Sequence, residues 1–198
     1  MAITAPRVAE GQAVAGGTST VGGAAAWWYE WVDRHRVGAI ALVGLIATQL
    51  GTYFGHVFPA VGLPTLPWPQ FNGLLGAPAE AFGSASTFWV GQNLHFVNGI
   101  VFAILYAILA LPMMPFRNTH WGNVSSGLLY GFVMTIISIG LLVPYAYVPE
   151  QGYGFFLFYG PDTWKLPLAV LVWHLIYGFF LGSLFQIRDR DVNLTEPA

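Results

Sequence analysis

The sequence contains no cysteine. Disulfides, thiolate nucleophiles and cysteine-ligated zinc or iron–sulfur centres are therefore excluded. Charge is nearly as scarce. Asp, Glu, Lys and Arg make up 8% of 198 residues, while hydrophobic residues make up 56%. An ordinary soluble domain carries about 25% charged residues. So few charges cannot cover a water-facing surface, and so much hydrophobicity does not suit a disordered chain. A net charge of −2 leaves no basic footprint for nucleic acid. The composition points to a chain that lives in a lipid bilayer.

What the chain has instead is long apolar runs. A helix needs about 20 apolar residues to cross the hydrocarbon core. Residues 38–58, 89–111, 123–144 and 166–186 meet that length without a single Asp, Glu, Lys or Arg. Arg34 and Arg36 precede the first run, Arg117 separates the second and third, and Arg188 and Arg190 follow the fourth. Under the positive-inside rule both termini then face the cytoplasm. Trp27, Trp28, Trp31, Trp89, Trp121 and Trp164 fall near predicted interfaces, where an apolar ring with a polar N–H is most at home. The expected fold is all-α: an integral membrane bundle of four spans in residues 27–190. A flexible Ala/Gly-rich tail is expected over 1–26 and a short tail over 191–198. The cell membrane of a bacterium is the expected location.

Two spans share a pattern. His95, Gly99, Phe102, Leu105 and Tyr106 correspond in spacing to His174, Gly178, Leu181, Leu184 and Phe185. Both spans run from outside to inside, which fits a parallel repeat of two helices plus two. The first and third spans do not align convincingly at that offset. Gly51 with Gly55, Gly127 with Gly131, and Gly178 with Gly182 form small-x3-small pairs that let helix backbones approach closely in lipid.

The spans hold three ionisable residues, all histidine: His56, His95 and His174. His95 lies about 9 Å and His174 about 12 Å into its span at ~1.5 Å per residue, so the two share a depth in the outer half. Three uses compete with plain hydrogen bonding to a neighbouring helix. The pair could clamp a haem iron axially. With His56 it could hold copper or zinc. It could serve a quinone or move protons. Gln92 and Asn98 share a helix face with His95 and would orient the imidazole or line a wet cavity. The sequence holds no intramembrane carboxylate, Ser/His/Asp set or phosphate loop that would make it an enzyme. Serines and threonines of the third span (Ser125, Ser126, Thr135, Ser138) read as helix-to-helix hydrogen bonds, Pro144 as a helix end, and His120 as a solvent or headgroup contact. The sequons at Asn123 and Asn193 read as chance matches.

The outer connections, 59–87 and 145–164, are rich in proline and aromatic residues. They either fold back over the bundle or dock on other membrane subunits. The functional expectation is a non-catalytic subunit or scaffold of a larger membrane complex. A bis-histidine haem protein is the alternative, and a small transporter or channel stands behind it.

Overall fold

The computed structural model describes residues 20–186. No strand occurs among them. Six helices carry the architecture: α1 (Thr20–Arg34), α2 (Arg36–Val57), α3 (Trp68–Gly73), α4 (Ala85–Leu105), α5 (His120–Ile137) and α6 (Lys165–Leu184). With their continuations, four reach the length and apolarity that cross a membrane: Arg36–Val61, Ala85–Met113, His120–Tyr147 and Lys165–Leu184. Their outward faces carry Leu45, Val97, Val101, Phe132, Ile136 and Phe179, all exposed. Such faces are stable against hydrocarbon and costly against water.

Glycine sets how closely these helices pack. The α5–α6 contact is backbone on backbone. A methyl on Gly127 would strike the Gly178 carbonyl oxygen, one on Gly178 the Gly127 oxygen, and one on Gly131 the His174 oxygen. The other pair, α2 with α4, meets at Gly44 against Ala103 and at Gly99 against Thr48. The Thr48–Gly99 contact recurs as Gly127–Gly178 with both positions shifted by 79 residues, the offset that separates His95 from His174. Gly44 with Ala103 and Asn123 with Gly182 keep the same offset. The Gly51–Gly55 pair does something other than expected. Its missing side chains seat the Trp173 indole, whose Cε2 lies 2.9 Å from a Cβ built on Gly51.

Several boundaries differ from the sequence reading. The first helix already begins at Thr20, inside the stretch expected as a tail, and docks on the end of α6. Trp28 Nε1 donates to the Leu184 carbonyl at 2.8 Å, and Tyr29 Oη donates to the Ser183 carbonyl at 3.0 Å. The expected tails at 1–19 and 191–198, and with them Arg188, Arg190 and Asn193, lie outside the described residues. Pro144 does not end its helix. The chain continues through Ser138–Tyr147 as a π-helix, whose wider turns tolerate a residue without an N–H. Ser126 and Thr135 bond no neighbouring helix; each hydroxyl donates to the carbonyl four residues back, Gly122 and Gly131. His120 sits within 2.6 Å of the Gln186 amide nitrogen.

The connection 59–87 folds inward. Pro67, Trp68 and Pro69 start α3, where a proline in the first turn loses no helical hydrogen bond. A methyl on Gly91 of α4 would collide with the Pro69 carbonyl, so α3 lies directly on α4. Trp68 and Phe71 are buried. Phe71 meets Phe82 at 6.1 Å and Tyr153 at 5.9 Å between ring centroids. Burial, and secondarily Asp162, raises the Tyr153 hydroxyl above its ordinary range. The connections 59–87 and 145–164 thus meet at one end of the bundle.

Candidate functional site

Under that end lies a small cavity with His95 and His174 in its wall. Helix α4 supplies His95, Asn98 and Phe102; α6 supplies Trp173, His174 and Tyr177. Met134 comes from α5, Ser138, Leu142 and Tyr147 from its π-helical continuation, and Trp68 and Asn72 from α3. None of these side chains carries a formal charge.

The hydrogen bonds fix how each imidazole is turned. Thr52 Oγ1 lies 3.0 Å from His95 Nε2 and donates its one hydrogen to the Thr48 carbonyl at 2.8 Å. With that hydrogen on the Thr48 carbonyl, Thr52 accepts from His95, which places the proton on Nε2 and leaves Nδ1 an acceptor in the neutral ring. His174 is the reverse. Its Nδ1 faces the Val170 carbonyl at 2.9 Å, and a carbonyl only accepts, so Nδ1 carries the proton and Nε2 is bare. Neither bare nitrogen has a hydrogen-bond partner among the described residues.

An amide chain braces the roof. Asn72 Nδ2 donates to the Trp68 carbonyl at 2.8 Å, and Asn98 Nδ2 donates to Asn72 Oδ1 at 2.6 Å and to Tyr147 Oη at 3.2 Å. The Tyr147 hydroxyl therefore keeps its own hydrogen to give. Tyr177 Oη donates to the Gly99 carbonyl at 2.6 Å, tying α6 to α4 beneath the cavity. Trp68 touches both histidines, nearly parallel to His95 at 6.3 Å and edge-on to His174 at 5.9 Å. Trp173 lies 5.4 Å from His95 and 5.1 Å from His174 between centroids. The indole nitrogens of Trp68 and Trp173 are buried without a partner among the described residues. Native interiors rarely leave such donors unmet without a reason.

Of the residues expected from sequence, His95, His174 and Asn98 come together here. Gln92 is half-buried and lies outside the cavity wall. His56 is exposed and does not join them; among the described residues no group of three or more His, Cys, Asp or Glu forms a metal cluster. The residues do not fit a haem either. The cavity measures about 40 Å³, room for about three waters at ~10–15 Å³ each, and Trp68 fills the slot against both imidazoles that a macrocycle would need.

Sequence reasoning missed Thr52, Trp68, Asn72, Ser138, Trp173 and Tyr177. The adjacency of Trp173 to His174 and the Pro-Trp-Pro run around Trp68 were the available signals. Comparison with protein-family models, with curated proteins and with solved structures finds no match.

Proposed function

We propose that the chain is a multi-pass membrane protein that binds one small ligand inside its bundle. One observation carries this reading: two buried histidines on different helices each spend one nitrogen on a local bond and line the same uncharged cavity. The basic residues Arg34, Arg36 and Arg117 support an orientation with both ends of the bundle's chain in the cytoplasm, which puts the cavity in the outer half of the membrane. The equal contact offset in the α2–α4 and α5–α6 pairs supports a parallel two-plus-two repeat, with the site where the two halves meet. The cell membrane of a bacterium remains the location we propose. Binding rather than turnover is favoured because the cavity wall offers no carboxylate to act as a general base.

The test is ligand-induced thermal stabilisation of the purified protein in detergent. The panel comprises Cu(I), Ag(I), Zn(II), ammonium and hydroquinone, applied to wild type and to Ser138→Leu, whose added side chain fills the cavity. At least one ligand should raise the Tm of wild type and leave Ser138→Leu unmoved. Equal shifts in both proteins, or none with any ligand, would refute the reading.

A second reading, a subunit of a membrane complex, is favoured by the aromatic ridge on the second outer connection. Tyr145, Phe155, Phe158, Tyr159 and Trp164 are all exposed there. The ridge is held rigidly. Phe156 and Leu157 adopt φ of 58° and 61°, a costly conformation for such residues, and Leu157 is fully buried as its anchor. Native mass spectrometry after mild solubilisation tests it. A partner lost in Phe158→Ser/Tyr159→Ser supports the reading; a lone chain in the wild type contradicts it.

A further inference from the structure

The cavity is open on one side. Of its wall residues, only Asn98, Phe102, Leu142 and Tyr147 keep partial exposure, and the rest are buried. Asn98 and Phe102 sit one turn apart on α4. Leu142 and Tyr147 belong to the π-helical continuation of α5, Ser138–Tyr147. The mouth therefore lies in the seam between these two elements. Along their lengths α4 and α5 touch little, whereas α2 and α6 pack closely, with the Trp173 indole seated on Gly51 and Gly55. The Asn98–Tyr147 hydrogen bond at 3.2 Å spans the seam at the outer end of the mouth. Tyr130 Oη donating to the Phe102 carbonyl at 2.8 Å, and the Tyr106 and Tyr130 rings in contact at 5.2 Å, span it at the inner end.

Both sides of the mouth fall within helices long and apolar enough to cross a membrane, Ala85–Met113 and His120–Tyr147. The residues next to it in sequence, Val97, Val101 and Leu141, are exposed and apolar. In a bilayer, acyl chains rather than water cover such a surface, so a ligand arrives from the lipid. The wall then selects its head. No charged side chain lines the cavity, and an unpaired charge is costly to bury, so the head is uncharged. About 40 Å³ takes a head of a few atoms. The Tyr147 hydroxyl accepts from Asn98 and keeps its own hydrogen, and Ser138 brings a second hydroxyl to the wall; a hydroxyl head can accept from one and donate to the other. The π-helix brings Ser138, Leu142 and Tyr147 into this one wall, and π-helical turns recur at functional sites. We infer that the cavity takes the head of an uncharged, hydroxyl-bearing single-chain amphiphile, admitted from the outer leaflet through the α4–α5 seam while its alkyl chain stays in the lipid. This rests on the reading of the cavity as a ligand site.

The experiment places the full chain in phosphatidylcholine nanodiscs and photolabels it with dodecanol carrying a diazirine beside the hydroxyl. Peptide mapping should put saturable label on residues 98–102 and 138–147. Unlabelled dodecanol should compete, as should dodecanoyl glycerol if the natural head is a glyceride; dodecanoate, dodecylammonium and propanol should not. Leu142→Trp, which plugs the mouth, should abolish the saturable label. Tyr147→Phe should weaken competition by dodecanol about 5-fold through the lost donor. Val90→Trp, on α4 outside the cavity wall, should change nothing. Circular dichroism and elution volume control for folding, and Tyr147→Phe keeps the test open should Leu142→Trp misfold. Label spread over all lipid-facing helices and indifferent to dodecanol and Leu142→Trp overturns the inference, and competition by dodecanoate as strong as by dodecanol overturns the uncharged head. No saturable label, with Ser138-dependent stabilisation by a water-soluble ligand, would sink entry from the lipid and leave the ligand site standing. Absence of both would sink both.

Discussion

The glycine contact between α5 and α6 makes a quantitative prediction about Gly178→Ala. A methyl there would press on the Gly127 carbonyl oxygen, with the carbonyl carbon at 2.8 Å and the Gly131 nitrogen at 3.3 Å. Carbon atoms rest about 3.5–4.0 Å apart, so the helices would have to separate by about 1 Å. The obstructing atoms are backbone on both sides and cannot swing aside. Overpacking costs about 1–3 kcal/mol, and with backbone on both sides about 2–3 applies here, offset by about 1 kcal/mol because alanine is the better helix former. A net loss of about 1–2 kcal/mol is expected, roughly a 5–30-fold fall in the folded-to-unfolded ratio. Titration with a denaturing detergent in mixed micelles, followed by circular dichroism and tryptophan fluorescence, measures it. Gly38→Ala is the control, since nothing lies within 4 Å of the position; it should gain up to about 1 kcal/mol. If Gly178→Ala is as stable as wild type, the helices are not in backbone contact and the packing account fails.

Other predictions use the same assay. Trp68→Ala removes a ring that contacts both histidines and Trp173 and should cost about 3–5 kcal/mol; a loss below 1 kcal/mol would mean that α3 is not docked. Thr52→Val deletes the acceptor of the His95 N–H and should cost about 1–3 kcal/mol through the stranded donor, with Thr52→Ser restoring most of it. Ser84→Ala removes the cap whose Oγ accepts from the Thr87 N–H at 3.1 Å, at about 1 kcal/mol.

The four long helices were legible because their signal is an absence. Runs free of charge can be read residue by residue, and the helices in the structure match them within a few positions. The short α3 was not legible. Six residues are too few to show a period, and two prolines beside Trp68 read equally well as loop. Only the contacts of Trp68 with His95 and His174 give this helix its place. The spacing of Gly51 and Gly55 had one reading in sequence, helix packing, and another in the fold, an indole seat, because a gap in a helix surface does not say what fills it. His95 and His174 could be matched by pattern, whereas His56 could not be separated from them, because span depth says nothing about which way a helix is rotated. The equal offset of the Thr48–Gly99 and Gly127–Gly178 contacts stayed hidden because it lies in contacts, between residues with no likeness of side chain.

The central claim is that His95 and His174 carry opposite tautomers in the wall of one cavity. Nitrogen-15 NMR of histidine-labelled protein, with the five histidines assigned through His95→Asn and His174→Asn, tests it directly. The account predicts a proton on Nε2 of His95 and on Nδ1 of His174, each ring with one unprotonated nitrogen that shifts when a cavity ligand is added. The same tautomer in both rings, or unprotonated nitrogens blind to every ligand tried, would contradict it.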